Sequence, residues 1–265
     1  MSDQFTFAVD VGNTRAKFGV FARATALAAT PKIPVCIASL AVSVADQLEW
    51  GKITAHFDSW KANLGQAVIA GANPTGVERI VSTWPGGNWP APVIVQRAAE
   101  LPLRVHVEHP DKVGIDRLLD AVAANALRGW AEPAIVVDAG TATTVNFISA
   151  EGAFEGGAIL PGIELGARAL HQFTALLPLI DVQSLSLHPV VPLGRNTPGA
   201  IGSGLWFGHI GAVRELITRL SESSNQPPLL LVTDGNGRWL APAIEPDARF
   251  EPDLALRGLA FVATN

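Results

Sequence analysis

Three aspartates stand where apolar runs end or begin, each close to a glycine. Asp10 opens Asp10-Val11-Gly12-Asn13-Thr14-Arg15-Ala16-Lys17, Asp138 opens Asp138-Ala139-Gly140-Thr141, and Asp116 lies in Gly114-Ile115-Asp116-Arg117. A carboxylate at the end of a buried strand can hold hydrated Mg²⁺. Glycine lets backbone approach a phosphate, because no Cβ stands in the way. Asn13 and Thr14 add donors, and Lys17 adds a cation able to reach the same face. Alone, Asp10 to Thr14 reads more readily as a plain hairpin turn, since Asp, Gly, Asn and Thr are ordinary turn residues. The second segment changes the weighting: two such hairpins, one in each half of the chain, can clamp a triphosphate from both sides. Asp138 and Thr141 supply oxygens for phosphate or a cation. Thr143 and Thr144 either do the same or serve as β-formers.

Asp116 and Arg117 open a helical pattern. One reading is capping, with the carboxylate offsetting the helix dipole and Arg117 pairing with an acid. The other is a substrate site, where Asp116 accepts a hydroxyl proton and Arg117 fixes an anionic group bidentately. Gly156-Gly157-Ala158-Ile159-Leu160-Pro161-Gly162 and Leu193-Gly194-Arg195-Asn196-Thr197 read as glycine turns with polar donors. Gly204, Gly208 and Gly211 read as close helix packing. The dinucleotide fingerprint and the Gly-x4-Gly-Lys-Ser/Thr loop are both absent, as is a nucleophile elbow. His106 and His109 form a pair without further metal ligands in sequence.

These residues need elements to hold them. Phe5 to Phe21 and Ala134 to Ile148 each read as a β-hairpin with polar residues at the turn. They lie half a chain apart, which indicates an internal duplication and domains over residues 1–130 and 131–265. Helices are expected in part of 45–65, where Trp50 and Trp60 fit a core or an interface, and over 115–129, 201–220 and 253–263. Residues 82–92 read as a loop and 229–233 as a short buried strand. Strands alternating with helices give an α/β fold.

The 265 residues carry a net charge of −5, which argues against nucleic acid as the main partner. The single cysteine, Cys36, allows neither an intramolecular disulfide nor a cysteine zinc cluster. The first ten residues lack a signal-peptide pattern, and no run approaches the ~18 apolar residues of a membrane span. A cytoplasmic protein without membrane partners is expected.

In order along the chain, Asp10 to Thr14, Gly114 to Arg117, Asp138 to Thr144, Gly156 to Gly162, Gly194 to Thr197 and Leu254 to Leu259 resemble the type III pantothenate kinases of the actin/hexokinase/Hsp70 ATPase superfamily. The resemblance implies two ribonuclease-H-like domains, each opened by one hairpin. It implies ATP-dependent phosphorylation of pantothenate to 4′-phosphopantothenate, the first step of coenzyme A biosynthesis, with Mg²⁺ and a monovalent cation, K⁺ or NH₄⁺. It also implies a homodimer with the pantothenate pocket near the subunit interface. By position, Asp10, Val11, Gly12, Asn13, Thr14, Arg15, Ala16 and Lys17 would hold the ATP phosphates, with Asp10 meeting Mg²⁺ through phosphate. Thr141 would contact ATP and Asp138 the monovalent cation. Asp116 would be the base, Val107, Gly114, Ile115 and Arg117 would line the substrate pocket, and Thr197 would contact pantothenate. The chain departs from the family pattern at Val107, where a tyrosine is frequent, at Asn146, where an aspartate is, and at Asp234, where Thr-Gly-Gly is usual near the adenine side. It contains no tyrosine. Open alternatives are a kinase of another small hydroxylated substrate, a weakly catalytic regulatory relative, and an ATPase without an organic acceptor.

Overall fold

A computed structural model of the chain describes residues 5–22 and 33–264. The described residues form two compact units. One comprises residues up to Gly129 together with Gly152–Phe154 and the segment from Asp253 on; the other comprises Trp130–Glu151 and Glu155–Pro252.

In the first unit, β1 (Phe5–Val11) turns back as β2 (Arg15–Ala22), and β3 (Cys36–Ser43) continues the antiparallel run. β4 (Leu64–Ala70) then joins β1 in parallel, and β5 (Pro92–Ile94) joins β4 in parallel. Parallel pairing needs a crossover. Here α1 (Trp50–His56) and α2 (Asp58–Lys61) lead into β4, and α3 (Pro74–Ser82) leads towards β5. The resulting order is β3-β2-β1-β4-β5.

Strand side chains alternate between the two faces of this sheet. Phe7, Val9 and Val11, with Ala16, Phe18 and Val20 opposite, form a core with Ile53, Phe57, Val77 and Ile80. Phe7 is its centre, 5.1 Å from Phe57, 6.1 Å from Trp84 and 4.9 Å from Trp89, ring centroid to centroid. Two tryptophans of the 82–92 loop therefore anchor it inside. The opposite face carries Thr6, Ala8 and Gly19 and is covered by α8 (Leu254–Thr264). Gln66 Nε2 ties it down by donating to Thr6 Oγ1 (2.9 Å) and to the Ala263 carbonyl (2.6 Å). Against α8 lies α4 (Ile115–Leu127). A Cβ on Gly258 would fall 2.1 Å from the Leu119 carbonyl oxygen, so only glycine permits this approach.

The second unit repeats the plan. Its strands are β6 (Ala134–Ala139), β7 (Ala142–Ile148), β8 (Phe154–Pro161), β9 (Leu229–Thr233) and β10 (Arg249–Phe250). Their order is β10-β9-β6-β7-β8; read from β8, it is the same third-second-first-fourth-fifth sequence as in the first sheet. Again the first two strands are antiparallel, and the first and fourth parallel. α5 (Ile163–Gln172), α6 (Thr197–Ser221) and α7 (Gly237–Ile244) complete the unit, with Ile135, Val137 and Val145 packed on Ile210, Val213 and Leu240. The duplication read from two hairpins thus extends to the whole topology.

Three features differ from the expectations. Helix α8 groups with the first unit rather than the second. The glycine-rich segment 156–161 is strand, not turn: Gly157 packs so closely on β7 that a Cβ would fall 2.0 Å from the Val145 oxygen. Gly204, Gly208 and Gly211 do not pack on another described element: the helix's own backbone aside, nothing lies within 4 Å of a Cβ at any of them. No described helix is long and apolar enough to cross a membrane.

Candidate active site

The tip of the first hairpin is closed by the Gly12 N–H, which donates to the Arg15 carbonyl at 2.9 Å. Asp10 is the cross-strand partner of Lys17, so their side chains share a face, and Arg15 shares it two residues away. Register distinguishes the two cations by exposure: Arg15 is exposed, while Lys17 is half-buried with Nζ 3.8 Å from Asp253 Oδ1. Val11 and Ala16 point into the core, so they can offer a ligand only backbone. Asn13 and Thr14 are exposed at the tip. The loop after β4 braces this turn. The Asn73 N–H donates to the Val11 carbonyl (3.2 Å), while Asn73 Oδ1 caps α3 by accepting the Gly76 N–H (3.0 Å). Gly71 makes the approach possible, because a Cβ there would lie 2.3 Å from the Val11 oxygen.

In the second hairpin, Asp138 lies between Thr144 on β7 and Thr233 on β9 in the sheet register. Thr141 is exposed at the tip, and its carbonyl accepts the Gly162 N–H at 3.1 Å. A Cβ on Gly162 would meet the Gly140 and Thr141 oxygens at 2.3 and 2.5 Å, so glycine is required beneath the turn. The next residues are internal. Thr143 Oγ1 lies 3.3 Å from His209 Nε2, and Asn146 Nδ2 donates to Thr144 Oγ1 at 2.9 Å. Both threonines are buried and act as interior strand residues. Burial pushes the His209 pKa down, which favours its neutral form.

Asp116 sits in the first turn of α4, where the helix N-terminus favours negative charge. Its Oδ1 accepts the N–H of the next residue, Arg117, at 2.9 Å, while the N-cap position is Gly114 and carries no side-chain cap bond. The same oxygen lies 2.5 Å from where a Gly114 Cβ would be, so the carboxylate folds over the space that the missing side chain leaves. Arg117 is half-buried, with Cζ 5.4 Å from the centre of the Phe154 ring. Burial lowers the Arg117 pKa, and Asp116 and then Asp120 oppose that shift. Asp120 lies one helical turn beyond Asp116 and is fully buried. Ile115 is buried, and Val107 is half-buried in the segment leading to α4. The structure therefore brings Gly114, Asp116 and Arg117 together at one helix start.

Thr197 is the first residue of α6, whose N-cap Asn196 accepts the Gly199 N–H at 2.7 Å. It lines a cavity of about 970 Å³ in the second unit, together with Gly166, Phe173, Leu177, Asn196 and Leu205. Among the described residues no group of three or more His, Cys, Asp or Glu could hold a metal ion. Sequence reading missed Asn73, Phe154 and Asp253. Asn73-Pro74 carries a helix-start signature, whereas Phe154 and Asp253 reach their partners across long stretches of chain and leave no local signal.

A five-stranded sheet built twice, each copy opened by an Asp-bearing hairpin, defines the actin-like ATPase fold. A glucokinase from an Antarctic psychrotroph superposes with a TM-score of 0.50 at 11% identity, covering 97% of this chain and 98% of that one. The activator of 2-hydroxyisocaproyl-CoA dehydratase from Clostridium difficile, with bound ADPNP, gives 0.52 at 9% identity, covering 98% and 94%. The model of the type III pantothenate kinase family matches residues 6–219. The type III pantothenate kinase of Dehalococcoides mccartyi is 33% identical over 261 residues, 96% of this chain and 94% of that relative. The chain belongs to the type III pantothenate kinase family.

Proposed function

We propose that this kinase transfers the γ-phosphoryl group of ATP to the primary hydroxyl of pantothenate, giving ADP and 4′-phosphopantothenate, the first step of coenzyme A biosynthesis. The observation that carries the reading is Asp116 at the start of α4, its carboxylate folded over Gly114 and next to Arg117, in a chain of this family. The substrate hydroxyl gives its proton to Asp116 as its oxygen bonds to the γ-phosphorus, and the bond from that phosphorus to ADP breaks in line. Arg117, set against Phe154, holds the pantothenate carboxylate. Val107 supplies an apolar wall, Gly114 and Ile115 supply backbone, and Thr197 adds a hydroxyl from its cavity. The departure at Asn146 is internal, bonded to Thr144, and leaves these contacts alone.

Asp10 to Lys17 hold the ATP phosphates, with Lys17 as the cation and Thr141 as a further contact. Oxygen donors at Asp10 and Asp138 suit hard cations. The place a Gly140 Cβ would fill lies 2.6 Å from Asp234 Oδ2 and 3.6 Å from Asp138 Oδ1, so the missing side chain gives room to carboxylate oxygens beside the turn. In this reading Asp10 meets Mg²⁺ through phosphate, and Asp138 holds K⁺ or NH₄⁺. Bound there, the ions neutralise charge that builds on the phosphoryl oxygens.

The active form in this reading is a homodimer. Phe173, Leu176, Leu193 and Phe207 are exposed on the second unit, and Gly204 and Gly208 face open space on α6. A second copy covering this face would bury apolar surface that monomers rarely display. ATP dependence and the single cysteine fit a cytoplasmic enzyme.

The test mixes protein, ATP, Mg²⁺ and pantothenate, with and without K⁺, and follows phosphopantothenate by mass spectrometry. Product that depends on K⁺ and falls about 10²–10⁴-fold in Asp116→Asn, with ATP binding retained, is expected. Unchanged turnover in that variant, or no product from ATP-binding wild type, would sink the assignment.

A further inference from the structure

We propose that Asp253, at the start of α8, is a positioning residue for Lys17 and, through Lys17, for the ATP phosphates. The inference rests on the reading of Asp10 to Lys17 as the segment that holds those phosphates. Lys17 lies on the face of β2 turned away from the first core, because its neighbours Ala16 and Phe18 point into that core. Two residues on, Gly19 shares the face of Lys17, and a Cβ there would fall 2.9 Å from Leu256 Cδ2. Leu256 of α8 therefore sits directly over Gly19. Asp253, three residues before Leu256, comes to stand beside Lys17, its Oδ1 3.8 Å from Nζ. The seat of α8 is fixed a second time at Gly258, where a Cβ would fall 2.1 Å from the Leu119 carbonyl oxygen. The placing of the carboxylate is thus set by two close contacts of the helix that carries it.

The Lys17 and Asp253 side chains are 20% and 25% exposed, so water and salt screen their attraction less than that of a pair on the open surface. The Asp253 backbone is left-handed, with φ +53°, a conformation that Asp and Asn adopt more readily than most residues. Its carbonyl accepts the Arg257 N–H at 2.9 Å and so begins the helix. A lysine ammonium rides on a flexible four-carbon stem and carries three donors. It can therefore point one donor at Asp253 and keep others for a phosphate. Lys17 also faces Asp10 across the strands; a second carboxylate, from α8, leaves the ammonium less room to swing. Phosphoryl transfer is accelerated mostly by positioning and by charge placed in advance, and a lysine held before ATP arrives supplies both.

The experiment measures kcat, KM for ATP, KM for pantothenate and Tm in wild type, Asp253→Asn, Lys17→Ala and the double variant. Asparagine suits the same helix start and the same left-handed backbone, so the Asn variant removes the charge alone. Asp253→Asn is expected to lower kcat/KM for ATP about tenfold, short of the ~10²-fold that a 1 Å misplacement costs. KM for pantothenate should stay within about twofold, and Tm within a few degrees. In the Lys17→Ala background the same substitution is expected to cost nothing more, as for two residues that act through one contact. Equal losses in both backgrounds, or an unchanged kcat/KM in Asp253→Asn, would overturn the inference and leave the phosphate role of Lys17 standing. Lys17→Ala without loss would overturn that role and the inference with it. Asp253→Gly, which also suits the left-handed backbone, repeats the comparison if the Asn variant does not fold.

Discussion

Gly114→Ala separates what the fold tolerates from what the chemistry tolerates. The backbone at Gly114, φ −55° and ψ 129°, is open to any L-residue. The obstacle is the Asp116 carboxylate, whose Oδ1 lies 2.5 Å from the new Cβ. It is the tip of a short flexible side chain, so it can move aside by roughly 1 Å, and a misplacement of that size at a reacting group costs on the order of 10²-fold. Stability should fall by no more than about 1 kcal/mol, the difference between Gly and Ala at an N-cap. In a phosphopantothenate assay, kcat is expected to drop about 10²-fold while Tm moves by only a few degrees and nucleotide affinity stays within a factor of about two. A kcat within threefold of wild type would refute the link between Gly114 and the carboxylate's position. A collapse of Tm would show instead that Gly114 serves the fold.

Gly258→Ala drives a methyl into the Leu119 carbonyl and must part α8 from α4; overpacking of this kind costs about 1–3 kcal/mol, read as a lower Tm and urea midpoint. Gly208→Ala meets no described neighbour within 4 Å, so in an uncovered helix it would stabilise by up to ~1 kcal/mol. With a second copy against α6, it instead shifts the protein towards monomer in sedimentation velocity. An unchanged dimer with raised Tm would place the interface elsewhere. His209, its pKa lowered by burial, binds fewer protons folded than unfolded. It therefore removes stability as pH falls through roughly 6.5. His209→Gln should flatten the fall in urea midpoint between pH 7.5 and 5.5, and an equally steep fall would show that other groups cause it.

The two hairpins were legible because strand patterning and turn residues are local signals. β1–β2 and β6–β7 lie where the patterns put them, and α4 ends two residues before the expected Gly129. That Gly114, Asp116 and Arg117 gather at a helix start was readable, but whether Asp116 serves the helix or a substrate was not, since one carboxylate can accept the Arg117 N–H and still face a substrate. Glycines misled in both directions. Gly157 looked like a turn and is a strand residue shaped by the closeness of β7, whereas Gly204 and Gly208 looked like packing and face open space. Each outcome depends on what stands opposite in three dimensions, which spacing along the chain does not encode. The tryptophans divide in the same way: Trp84 and Trp89 pack on Phe7, while Trp130 is fully exposed.

Helix α8 also bears on how the protein is made. It covers one face of the first sheet, places Asp253 beside Lys17 and packs on α4, yet it follows more than a hundred residues that build the other unit. During synthesis, which delivers N-terminal segments first, β1, β2 and β4 leave the ribosome with that face uncovered and stay so until residues 254–264 emerge. The unit begun first is finished second, and a chain stalled anywhere before Asp253 presents an open sheet face to chaperones and proteases, however complete its second unit is.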